Sequence, residues 1–133
     1  MKLHIILDEN SSKRALRCAF ESLCNKEKYE YIHEFVTHDN ASKFVLEKCY
    51  DLLIKMPITS DYYASLLCLV RHHNLSTKIL SKLANHTDNN IRYLVAKHHN
   101  TSIKTLIKLS KDNFPTINIH AKNNRINRIL LLK

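Results

Sequence analysis

Not one of the 133 residues is glycine, and that absence removes most of the tight turns a chain can make. Average usage of about 7% predicts roughly nine glycines at this length. Without them there is no phosphate-cradling P-loop, no dinucleotide-binding fingerprint and no Asn-Gly hairpin turn. Two prolines supply too few turn signals for a sandwich of short strands. Apolar residues make up 44% of the chain, enough for a core. What remains is an all-α chain of about one domain, turning on Asn, Asp and Ser.

The turns repeat. Arg71-His72-His73-Asn74-Leu75-Ser76 returns as Lys97-His98-His99-Asn100-Thr101-Ser102. An Asn followed by Ser at +2 and Leu at +6 occurs four times: Asn10/Ser12/Leu16, Asn40/Ser42/Leu46, Asn74/Ser76/Leu80 and Asn100/Ser102/Leu106. With 13 Asn, 10 Ser and 19 Leu in the chain, chance predicts about 0.14 occurrences. A fifth copy, Asn124 with Leu130, has Ile126 in the Ser slot.

Each element of the repeat has a physical role. Ser at +2 is placed to cap the helix that follows, its oxygen accepting an orphan backbone N–H. Asn, between two helices, is expected to take the left-handed conformation that glycine would otherwise supply. Apolar pairs precede the Asn at −5 and −4: Ile5-Ile6, Phe35-Val36, Leu69-Val70 and Val95-Ala96. The unit is therefore helix A, turn, helix B, Asn corner. The periodicity predicts helices over 2–8, 12–24, 27–37, 42–55, 60–72, 76–85, 88–98, 102–111, 115–122 and 127–132, with Ser60 and Asp88 as caps and Pro115 in a first turn. Hairpins this short cannot bury their own apolar faces. The expected architecture is a single domain over 1–133, a small right-handed α-solenoid of about four to five hairpins, with an irregular helical bundle as the alternative.

Ile91-Arg92-Tyr93-Leu94-Val95-Ala96-Lys97-His98-His99-Asn100-Thr101-Ser102, with Leu106 and Leu109 behind it, resembles the leucine-rich repeat variant, a HEAT-related helical repeat. That family's unit runs roughly Val-Arg-x-x-Val-Ala-x-Asn-Pro-x-Thr-Pro-x-x-x-Leu-x-x-Leu-Ala. The resemblance is good over 69–112 and weaker elsewhere. Leu75 or Thr101 stands where the family has Pro, and one extra residue precedes the Asn. The cysteines here lack the spacing of the iron–sulfur cluster found in some members, so no cluster is implied. HEAT-like proteins include protein-binding scaffolds and DNA-base glycosylases, so the resemblance implies fold far more than function.

Charge is distributed unevenly. The chain carries 21 Lys/Arg against 12 Asp/Glu, a net +9. Residues 1–66 are near neutral, whereas 67–133 hold only Asp88 and Asp112 as acids. Lys78/Lys82 and Lys104/Lys108 are i,i+4 pairs at matching repeat positions, so each pair shares a helix face. With Arg71, Arg92, Lys97, Lys111, Lys122, Arg125 and Arg128 they form the expected basic surface. An ordinary solubilising surface mixes both signs; this one suits a polyanion. Nucleic acid held without sequence specificity is the first expectation and an acidic protein surface the second. A DNA-base glycosylase is a weaker third, because no paired carboxylates and no nucleophile–base arrangement stand out.

His72-His73 and His98-His99 are expected at helix C-termini, pointing apart, and expected to charge below about pH 6.5 and strengthen polyanion binding. No metal and no cofactor are expected. Cys18, Cys24, Cys49 and Cys68 form no Cys-x-x-Cys pair and are expected as reduced core residues. The chain has neither a signal-peptide core nor an apolar run of the ~20 residues that cross a membrane, so the expected location is the cytoplasm.

Overall fold

Every repeat serine starts a helix. Ser12, Ser42, Ser76 and Ser102 accept the backbone N–H of Ala15, Val45, Ile79 and Thr105 at 3.1, 3.3, 3.3 and 3.1 Å, each such cap contributing about 1 kcal/mol. The structure, a computed structural model, describes residues 10–131. Among these, all regular elements are helical: α1 (Lys13–Ser22), α2 (Asn25–Thr37), α3 (Lys43–Leu53), α4 (Ser60–Arg71), α5 (Thr77–Leu83), α6 (Asn89–Lys97), α7 (Ile103–Leu109) and α8 (Pro115–Leu131). The helix expected over 2–8 lies outside the described residues. Thr59, rather than Ser60, caps α4; Asp88 caps α6 as expected.

The chain forms two compact units, Met1–Leu75 and Ser76–Lys133. In the first, α2 packs on α3 and α4, and α1 packs on α3. Its apolar pair Phe35-Val36 is buried with Leu16, Ile32, Leu46 and Leu66, and the Phe20 and Phe35 rings meet edge to face at 5.2 Å. In the second unit, α8 lies against α6 and α7, and α5 against α6. Leu80, Leu83, Ile91, Val95, Leu106 and Leu109 are buried there, each contributing on the order of 2 kcal/mol through the apolar area removed from water.

The corners are not built as expected. No described residue has a positive φ, so the asparagines do not substitute for glycine by going left-handed. Each helix B instead ends on a histidine with extended backbone: His38, His72 and His98 are the C-caps of α2, α4 and α6. Their ring Nδ1 atoms accept the N–H of Asn40, Asn74 and Asn100 at 3.1, 3.0 and 3.0 Å. The asparagine amides then reach sideways: Asn40 Nδ2 donates to the Ser11 carbonyl and Asn74 Nδ2 to that of Ala41, each at 3.0 Å. The corner turns on side-chain hydrogen bonds, so it needs no residue without a Cβ.

The C-terminus also departs from expectation. The helices predicted over 115–122 and 127–132 are one continuous helix, α8. With Ile126 in the Ser slot, no side-chain oxygen is present to cap a new helix start, and the chain continues. Ile117, Ala121, Asn124 and Arg128 follow one another at helical spacing on a single stripe. The first two are buried. Asn124 Nδ2 donates to the carbonyls of Ala96 and His98 at 2.8 and 3.1 Å.

The four cysteines are free thiols. Cys49 is core, its pKa pushed up to about 12 by burial. Cys18 and Cys24 are exposed, contrary to expectation: Cys18 lies on α1 away from the apolar stripe that holds Leu16 and Phe20, and Cys24 is the N-cap of α2.

Candidate functional site

The second unit carries eleven Lys/Arg against two carboxylates, and both carboxylates are engaged inside the fold. Asp88 caps α6, its Oδ1 accepting the Asn90 N–H at 2.7 Å. Asp112 accepts the Phe114 N–H at 2.9 Å and the Arg92 Nε at 2.8 Å. The Arg92 guanidinium holds the Asp112 carboxyl below the usual carboxylate range. Each acid thus holds a helix boundary in place.

Lys78, Lys82, Lys97, Lys104, Lys108, Lys111 and Lys122 are exposed, and Arg125 is half-buried. Lys78 and Lys82 lie one turn apart on α5, and Lys104 and Lys108 one turn apart on α7. Thr77 Oγ1, on the first residue of α5, donates to the Asn100 carbonyl at 3.0 Å. That bond sets the start of α5 beside the corner that leads into α7, so Lys78 and Lys104 occupy the first turns of two neighbouring helix starts. Lys97 ends α6 with its ammonium 5.2 Å from the centre of the Tyr93 ring. Lys108 and Lys111 line a cleft they share with Arg92 and Asp112. Arg71 is exposed at the end of α4, in the first unit.

Two arginines expected on the basic surface have other work. Arg92 donates to Asp112, to the carbonyls of His86 and Thr87 and to Asn89 Oδ1, which occupies its Nε and both Nη groups. It fastens the start of α6 to the end of α7. Arg128 donates to the carbonyls of Thr101 and His98, and burial pulls its pKa below the ordinary arginine range. Its repeat position matched Lys78 and Lys104, but α8 continues through that position and turns it onto the corner.

The histidine pairs do not diverge. His72 and His73 stack with ring centres 4.8 Å apart and His98 and His99 at 4.7 Å, the planes within 18°. The extended C-cap, not helical backbone, sets their directions. His72 Nδ1 accepts the Asn74 N–H while its Nε2 lies 2.7 Å from the His38 carbonyl. A carbonyl only accepts, so the proton is assigned to Nε2 and the ring is neutral. Desolvation lowers the His72 pKa, so His72 resists charging and is not part of a pH-strengthened binding surface. Buried His98 accepts the Asn100 N–H in the same way. Of the four candidates, only His73 and His99 are exposed. Among the described residues, no group of three or more His, Cys, Asp or Glu is placed so that it could hold a metal ion.

The depressed His72 pKa has a stability consequence. Unfolded, the imidazole takes up its proton near pH 6.5, whereas the fold favours the neutral ring. Its contribution is therefore complete above about pH 6.5 and is lost as pH falls through the lower folded value. Urea unfolding of the wild type should show a falling midpoint from about pH 7.5 to about pH 5, and His72→Gln should remove part of that fall. A midpoint unchanged across the range would contradict the assigned tautomer.

Net charge concealed a second basic feature. The first unit is neutral in total, yet α1 and α3 carry Lys13, Arg14, Arg17, Lys43 and Lys48 around Phe44, four of them lining a groove with that ring. A per-helix count of this unit would show only α1 as basic, because Glu47 and Asp51 balance Lys43 and Lys48 on α3; the groove appears only when the two helices are packed.

Comparison with family models, curated proteins and solved structures gives no match to this chain. Among the described residues, no helix is long and apolar enough to cross a membrane.

Proposed function

We propose that this chain is a non-enzymatic module of HEAT-like helical repeats, stacked as an α-solenoid, whose basic second unit docks on the phosphates of nucleic acid without reading sequence. The observation that carries this reading is the disposition of charge. Both acids of the unit are engaged at helix starts, while Lys78, Lys82, Lys104 and Lys108 are exposed on two helices whose starts are neighbours. The recurring corner bonds from Asn40 and Asn74 to the preceding corner support the repeat assignment. Tyr93 and Phe114 are the only aromatics of this unit, too few to read stacked bases along a strand. Affinity therefore comes from phosphate neutralisation.

A gel-shift titration with salt tests this directly. With about six phosphates neutralised, log affinity should fall against log salt with a slope near −5, equally for unrelated sequences. A flat salt response, or no binding at about 50 mM salt, would remove the proposal.

A second reading is an adaptor or inhibitor that grips an acidic protein. It draws on α8, where Ile126, Ile129 and Leu130 are exposed close in sequence to Lys122 and Arg125, an apolar-plus-basic mixture that suits a protein partner. A stoichiometric protein complex together with absent nucleic-acid binding would favour it.

A further inference from the structure

The first unit is electrically neutral only as a sum. Its carboxylates are spread over all four helices: Glu21 on α1, Glu27, Glu30 and Glu34 on α2, Glu47 and Asp51 on α3, and Asp61 on α4. Glu27 accepts the Cys24 N–H at the start of α2, and Glu30 and Asp61 line a separate cleft. α1 carries Lys13, Arg14 and Arg17 and α3 carries Lys43 and Lys48, and these two helices pack against each other. There Lys13, Arg14, Arg17, Lys43 and Phe44 line one groove, and none of the described residues lining it is acidic.

Phe44 organises this groove. It occupies the repeat position that holds Arg14, Lys78 and Lys104 in the other units, so a ring stands where the pattern has a cation. The Arg17 guanidinium lies 4.0 Å from the ring centre and the Lys48 ammonium 5.6 Å from it. A guanidinium resting on an aromatic face is held with little rotamer freedom. Only its Nε is bonded to Glu21, at 3.2 Å, in an exposed pair that contributes little to stability. The Arg17 Nη donors are thus positioned for a planar or tetrahedral oxyanion.

We propose that this groove is a second nucleic-acid site, taking the phosphodiester backbone of a single strand across Arg14, Arg17 and Lys43 with Phe44 as the seat of Arg17. The proposal rests on the reading of the second unit only for the identity of the ligand; its residues lie entirely in the first. A phosphodiester chain is favoured over an isolated anion because four cations from two helices line one open groove, more positive charge than a single small ion neutralises.

The test uses the full chain and a fluorescein-labelled oligothymidylate of about 20 nucleotides, read by anisotropy at low salt. Arg14→Glu/Arg17→Glu/Lys43→Glu should weaken binding at least about 5-fold, both in the wild type and in a chain carrying Lys78→Glu/Lys82→Glu/Lys104→Glu/Lys108→Glu. Circular dichroism confirms that these surface variants remain helical. Benzoylphenylalanine in place of Phe44 should form an adduct with the strand on irradiation, a local readout that a distant change in net charge does not move. Wild-type affinity in the triple variant, or no adduct at position 44, overturns the proposal and leaves the second unit's role standing. Wild-type affinity in the quadruple variant overturns that role and leaves this site standing. Adduct formation blocked by polyglutamate but not by unlabelled strand would replace the nucleic acid with an acidic protein and so overturn it. No binding by the wild type removes both.

Discussion

Leu106→Ala should lower the unfolding free energy by about 3 kcal/mol, whereas Leu130→Ala should change it by no more than about 0.5 kcal/mol. Both leucines stand six residues after a repeat asparagine, Asn100 and Asn124. Leu106 is completely buried and Leu130 is 59% exposed. Removing the Leu106 side chain costs its transfer free energy and leaves a cavity between packed helices. Removing that of Leu130 costs neither. Urea unfolding followed by circular dichroism measures both. Equal effects would mean that α8 is not a single helix and that the fifth repeat unit exists.

The second large effect concerns binding. Lys78→Glu/Lys82→Glu/Lys104→Glu/Lys108→Glu should weaken affinity for a random-sequence duplex by about 100-fold or more at low salt, because each reversal removes one phosphate contact and adds one repulsion. Unfolding should change little, since all four side chains are exposed. Arg92→Ala should behave oppositely. It strands the largely buried Asp112 carboxylate, whose side chain is 10% exposed, so stability falls while affinity stays near the wild type. The contrast separates a lysine surface that binds from an arginine that fastens helices. Equal losses of affinity from both changes would place Arg92 in the interface.

The repeat was legible because it is written in local chemistry. Ser12, Ser42, Ser76 and Ser102 cap their helices through bonds that span three residues, and a signal of that range survives any tertiary context. The apolar pairs Phe35-Val36, Leu69-Val70 and Val95-Ala96 are buried throughout, as their spacing implied. The corner mechanism was spelled out too, as His-x-Asn at His38, His72 and His98. Reading the adjacent pairs His72-His73 and His98-His99 as units obscured the role shared with His38.

What the sequence determined by itself was helix content, helix starts and the buried stripe, all set by contacts a few residues apart. The tertiary structure decided which polar groups are already engaged. Arg92 and Arg128 look like their basic neighbours in sequence, and only the approach of the Asp112 carboxylate and of the Thr101 and His98 carbonyls withdraws them from the surface. It likewise decided that Asn124 lies within a helix and that five cations of a neutral unit gather around one phenylalanine. Electrostatic roles depend on which group lies within a few ångströms across the fold, and that proximity is a property of packing between elements distant in the chain.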